Sequence, residues 1–246
     1  MQIKTVFRRL LTVSAALLCF FTVSSLKANA SLIAAICNDL ACSGGDDFIV
    51  LDNTAPDTIP LIGGLNFAVS AFGFSLAVNT SQSKPLIGSA FAPQLDLTFS
   101  ATTNSSVSSS VFLFASDTDF MDPGLFPQQF ALTLGGTNSG GSGSANGRAW
   151  GGTNNTALSF SGANLISATG PLSGATYSGA TSGTFIPTVT PFSLTIGVAI
   201  NRTTPGTTTG DMNFSAAPIP EPASVALLGG VMLFGVGLIR RRKVRH

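Results

Sequence analysis

Residues for catalysis are scarce in this chain of 246 residues. Its one histidine is the last residue, His246, and its one glutamate is Glu221. A Ser-His-Asp or Cys-His constellation, or a His-ligated metal, has nothing to draw on upstream. Any catalytic carboxylate there must be an aspartate. Trp150 and Tyr177 are also single. Sugar-binding faces usually stack their ligand on such rings, so a lectin role has thin support. Basic residues are equally sparse in the middle. Between positions 31 and 219 only Lys84, Arg148 and Arg202 stand against ten aspartates. An acidic segment of this kind has no footprint for a phosphate backbone, and no nucleic-acid partner is expected.

What is present divides the chain in three. Lys4, Arg8 and Arg9 precede an apolar run over 10–23, followed by Ala28-Asn29-Ala30. Positive, apolar, then small-x-small is the order of a secretory signal peptide, so 1–30 is read as one. Ala28, Ala30 and Ser31 are then the signal-peptidase site. The alternative is an uncleaved anchor, for which the run is short.

The C-terminus has its own fixed order. Pro220-Glu221-Pro222 is followed by 223–239 without a charge, then by Arg240, Arg241, Arg242, Lys243, Arg245 and His246. Two prolines keep the strip extended and out of any β-ladder. The apolar stretch, as a helix, is about 25 Å long, slightly under the hydrocarbon thickness of a bilayer. The basic cluster then acts as a stop-transfer signal held on the cytoplasmic side. This ordered tail resembles the PEP-CTERM sorting signal of Gram-negative, often exopolysaccharide-producing bacteria, over 220–245. The resemblance implies recognition of Pro220, Glu221 and Pro222 by a membrane-embedded exosortase and cleavage in or near them. The protein would begin as an inner-membrane-anchored precursor and pass to the cell surface or extracellular matrix. A plain permanent anchor is the rival reading.

The middle, 31–219, reads as strands set between Gly, Pro, Asn, Ser and Thr punctuation. Leu95, Leu97 and Phe99 alternate with Asp96, Thr98 and Ser100. Phe130, Leu132 and Leu134 repeat the pattern, as do Phe192, Leu194, Ile196, Val198 and Ile200 against Ser193, Thr195, Gly197 and Ala199. Period two with one polar face marks half-buried antiparallel strands. The apolar run over 67–74 predicts a strand buried on both faces, and 31–41 a short helix or turn. Gly-rich 135–152 predicts a long surface loop or a hairpin. The fold class expected is all-β, an antiparallel β-sandwich of jelly-roll or Ig-like kind, flanked by the signal peptide and a C-terminal transmembrane helix.

Removal of 1–30 takes Cys19 with it and leaves Cys37 and Cys42. An even pair in an oxidising compartment points to a disulfide across a turn, with two free thiols as the alternative. Asp117, Asp119 and Asp122 form the one dense acidic cluster. Hard oxygens at such spacing suit Ca²⁺, though Asp is also a common turn residue and the EF-hand glycine and glutamate are missing. No other cofactor is expected. The reading is a non-enzymatic surface or matrix protein, with signal peptidase, exosortase, the inner membrane and exopolysaccharide as its partners. A carbohydrate-binding module and an Asp-based hydrolase are the alternatives.

Overall fold

A computed structural model describes residues 31–122, 127–160 and 162–216. The signal peptide with Ala28 and Ala30, the Pro220-Glu221-Pro222 strip, the 223–239 span and the basic cluster from Arg240 to Arg245 lie outside the described residues.

Thirteen strands occur among the described residues: β1 (Ile33–Cys37), β2 (Phe48–Leu51), β3 (Gly64–Ala71), β4 (Phe74–Gln82), β5 (Gln94–Thr103), β6 (Ser109–Phe120) and β7 (Gln128–Ser139). β8 (Gly143–Gly152), β9 (Leu165–Ala168), β10 (Leu172–Ser173), β11 (Thr176–Phe185), β12 (Phe192–Arg202) and β13 (Gly206–Ala216) complete the set. One short 3₁₀ turn, Gly162–Asn164, precedes β9. The strands form two antiparallel sheets. The first has the order β10-β8-β12-β6-β1-β2 with β9 also on β8, and the second β11-β7-β13-β5-β4-β3. Among the described residues no helix is long and apolar enough to cross a membrane.

The alternating strands behave as their pattern dictates. Leu95, Leu97 and Phe99 of β5, Phe130, Leu132 and Leu134 of β7, and Met212 and Phe214 of β13 are fully buried. They meet Val111 and Leu113 of β6 and Leu194, Ile196, Val198 and Ile200 of β12 in one core between the sheets. Their polar partners on the second sheet point out, where Thr102 and Thr207, and Thr137 and Thr209, pair through hydroxyls 2.8 Å apart.

Three expectations fail for physical reasons. The 67–74 run is no two-faced strand, because Phe72 and Gly73, both at positive φ, turn it into the tight β3–β4 hairpin. Within 31–41 the turn holds only at 38–41, while Ile33–Cys37 forms β1, whose Ala34 and Ile36 face the core and whose Ala35 and Cys37 face a second cluster outside the first sheet. Burial on both faces erases alternation, so this strand lacked its signature. The 135–152 stretch is neither loop nor hairpin. It supplies parts of β7 and β8, which belong to different sheets and are joined by an arch at Gly140 and Gly141.

The second cluster also overturns the open polar face expected of β12. Ser193 and Thr195 are buried because segment 153–160 lies across them, and Gly197 lies under the Phe114 ring. Ser193 Oγ donates to the Thr156 carbonyl at 2.6 Å, and Leu158 N donates to Ser116 Oγ at 2.9 Å.

Candidate functional site

Antiparallel register sorts the loops between two ends of the sandwich. Ser31, the connections 52–63, 83–93 and 186–191, the described residues 121–122, 127, 153–160 and 162–164, and Ala216 share one end. The acidic cluster lies here, at the end of β6. A β-bulge opposite Ser193 inserts an extra residue at Thr118–Asp119, with Asp119 at φ 61°. The bulge breaks the period of two, so Asp117 points into the interior while Asp119 is turned away from it. Asp117 is fully buried beside Lys84, which is also fully buried, with Nζ 2.8 Å from Oδ2. Lys84 Nζ donates as well to the Thr118 carbonyl and stands 4.5 Å from the Phe120 ring centroid. The Asp117 carboxylate accepts further bonds from Ser83 Oγ at 2.6 Å, Ser31 N at 3.0 Å and Thr118 N at 2.8 Å.

Asp119 instead accepts from Asn155 Nδ2 at 2.8 Å, and Asp122 is buried beside Thr190. The three aspartates are not brought together as one ligand set. Among the described residues, the one trio of metal-type ligand atoms within reach of each other is Cys37, Cys42 and Asp47. Cys37 and Cys42 are joined by a disulfide with Cα atoms 5.2 Å apart, which leaves no thiolate for a metal. The enclosed turn is held by Asp39, whose carboxylate accepts from Ala41 N and Ser43 Oγ; the latter bond leads the lowering of its pKa.

Neither rare aromatic ring forms a platform. Trp150 is 2% exposed, with its ring edge-on to Phe160 at 5.6 Å and tilted against Phe114 at 6.0 Å. Tyr177 is 7% exposed and donates its hydroxyl to the Thr209 carbonyl at 2.7 Å; burial raises its pKa. Its ring fits only because β7 carries Gly136 at the contact, where a Cβ would lie 2.7 Å from Tyr177 Cζ.

Sequence reasoning missed the second sheet's carboxyl pair. Asp96 of β5 and Asp211 of β13 come together through the pairing of Asn213 with Asp96 and of Asp211 with Thr98. Thr98 Oγ1 donates to Asp211 Oδ1 at 2.7 Å. Burial, and then the charge of Asp211, pushes Asp96 up to about 6. The pair sits on an outward sheet face and not in a cleft. A shallow groove of about 350 Å³ at the opposite end, lined by Phe72, Thr102, Asn104 and Ser105, holds no carboxylate.

No family model matches the chain, and no curated protein matches it. Among solved structures it is similar to a carbohydrate-binding module, TmCBM27, described for specific mannan recognition. The identity is 14% and the TM-score 0.28, over 50% of this chain and 72% of that one. It is also similar to the enzymatically active domain of bacteriophage CBA120 tailspike protein 4, at 9% identity and TM-score 0.31. That match covers 59% of this chain and 19% of that one. At these TM-scores neither likeness carries an argument about function.

Proposed function

We propose that this is an exported, non-catalytic surface or matrix protein, processed at both ends and sorted through its C-terminal tail. The observation that carries the reading is the extent of the folded unit. Its strands run from Ile33 to Ala216 and so fill the interval between the Ala28-Asn29-Ala30 site and Pro220-Glu221-Pro222. Ser31, the first residue after that site, is tied in through its backbone nitrogen to buried Asp117. The Cys37–Cys42 bridge suits an oxidising compartment.

Strand order favours the jelly-roll form over the Ig-like one. From β5 onward the chain crosses between sheets at each step, apart from the β8–β9–β10 ribbon. The resulting rows, β5-β13-β7-β11 and β6-β12-β8-β10, are those of two interleaved Greek keys. β1 and β2 extend one sheet and β3 and β4 the other. The role is that of a stable, hydroxyl-faced module delivered to the envelope or its polysaccharide. Replacing Pro220, Glu221 and Pro222 with alanine in the full chain tests the route. The variant is expected to accumulate in the inner membrane while the wild type reaches the surface. Equal surface delivery of both would refute sorting through this strip.

A further inference from the structure

Exposed apolar side chains are concentrated at one end of the sandwich. Leu61 (55%), Ile62 (58%), Leu86 (39%), Phe91 (55%), Ile186 (53%) and Val189 (46%) all belong to connections 52–63, 83–93 and 186–191. At the opposite end, Val107 is the one large apolar side chain so exposed among the described loop residues. The bearing loops are stitched together. Met121 N donates to the Ala90 carbonyl at 2.8 Å, Asp122 N to Thr190 Oγ1 at 3.2 Å, and Thr190 Oγ1 to Met121 Sδ at 3.5 Å.

The carboxylates of loop 52–63 are bound to backbone N–H groups of that loop and of β3. Asp52 accepts from Gly63 N at 2.7 Å, and Asp57 accepts from the backbone nitrogens of Asn53, Ile59 and Asn66, each at 3.0 Å. Lys84 and Asp117 neutralise each other in the interior. With these charges bound or paired, the exposed apolar side chains share this end with uncharged Asn, Ser and Thr. Such patches on soluble domains mark sites of contact.

The exit of the chain names the partner. β13 ends at this same end, where Ala216 N donates to the Pro93 carbonyl at 3.0 Å, two residues from Phe91. Residues 217–222 then lead to the apolar run at 223–239, a reach of at most about 20 Å even fully extended. A tether that short keeps this end within about 20 Å of the hydrocarbon edge of any bilayer the tail enters.

We infer that the rim formed by Leu61, Ile62, Leu86, Phe91, Ile186 and Val189 rests on the lipid bilayer while the tail anchors the chain. This rests on the reading of 223–239 as a membrane span. Seating the rim holds Pro220-Glu221-Pro222 at the membrane surface, where a membrane-embedded enzyme works. Loss of the tail leaves one weak apolar contact, and stable attachment generally takes two signals, so cleavage releases the domain.

Spin labels on the full chain test this. Single cysteines replace Leu61, Phe91, Ile186 or, as a control at the far end, Val107, each in a Cys19→Ser background. The protein is placed in vesicles of phosphatidylethanolamine and phosphatidylglycerol. All four positions are exposed, so the labels leave the packing intact. Labels at 61, 91 and 186 are expected to collide several-fold more with lipid-dissolved oxygen than with an aqueous nickel chelate, and the label at 107 the reverse. A chain that floats with vesicles but gives all four labels the profile of 107 overturns the inference and leaves the anchor standing. A chain that does not float overturns both.

Discussion

Lys84→Met should be the most damaging single substitution in the buried charge network. Lys84 and Asp117 are both fully buried, so losing the ammonium leaves a carboxylate with no counter-charge at 2.8 Å. Breaking such a pair from one side costs about 3–5 kcal/mol. Asp117 would keep its bonds from Ser83, Ser31 and Thr118, which places the loss near the lower figure, about 3 kcal/mol. For a domain of this size that lowers Tm by about 9 °C. The second half of the prediction is sharper. Lys84→Met combined with Asp117→Leu removes both charges and should recover most of the loss, since a buried pair replaced by apolar groups is often neutral. Urea unfolding of the four proteins in the cycle, followed by circular dichroism, gives the coupling directly. A Lys84→Met cost below about 1 kcal/mol, or a double variant weaker than Lys84→Met, would refute the reasoning.

Three further outcomes follow from the same geometry. Asp96→Asn should stabilise the protein at neutral pH. The folded-state pKa of Asp96 is raised to about 6, so its contribution is fully present below the unfolded value near 3.8 and is lost as pH rises through 6. Discounted for solvent screening, the gain is about 1 kcal/mol, and denaturant midpoints at pH 3 and pH 8 should show it at pH 8 only. Replacing Cys37 and Cys42 with serine should cost about 2 kcal/mol through loss of loop closure, while the wild type resists thiol labelling until reduced. Trp150→Ala should destabilise by about 3–5 kcal/mol because it empties the cluster with Phe114 and Phe160. Added polysaccharide should not shift the Trp150 fluorescence, and a saturable shift would favour a carbohydrate site at that ring.

Strands with one wet face were legible, because β5 and β7 bury each second residue and their composition says so. Strands covered twice were not. β1 lies under both clusters and shows no alternation, and the outer face of β12 is hidden by a segment some forty residues earlier. Glycine-rich β8 read as a loop because its job is to let aromatic rings approach: a Cβ at Gly151 would collide with the Phe185 ring. The Asp117-x-Asp119 spacing misled because a bulge, which no short pattern announces, separates the two side chains. Asp96 and Asp211 meet only through strand register across more than a hundred residues. One signal was there to be used. Lys84 is the single lysine between 31 and 219 and one of three bases there, and a rare base in an acidic domain is a natural partner for a buried carboxylate.

Intact mass of the protein recovered from the cell surface tests the central claim most directly. A chain beginning at Ser31 and ending in or near Pro220–Pro222, free of the 223–246 segment, is the predicted result. Surface molecules that still carry His246 would contradict it.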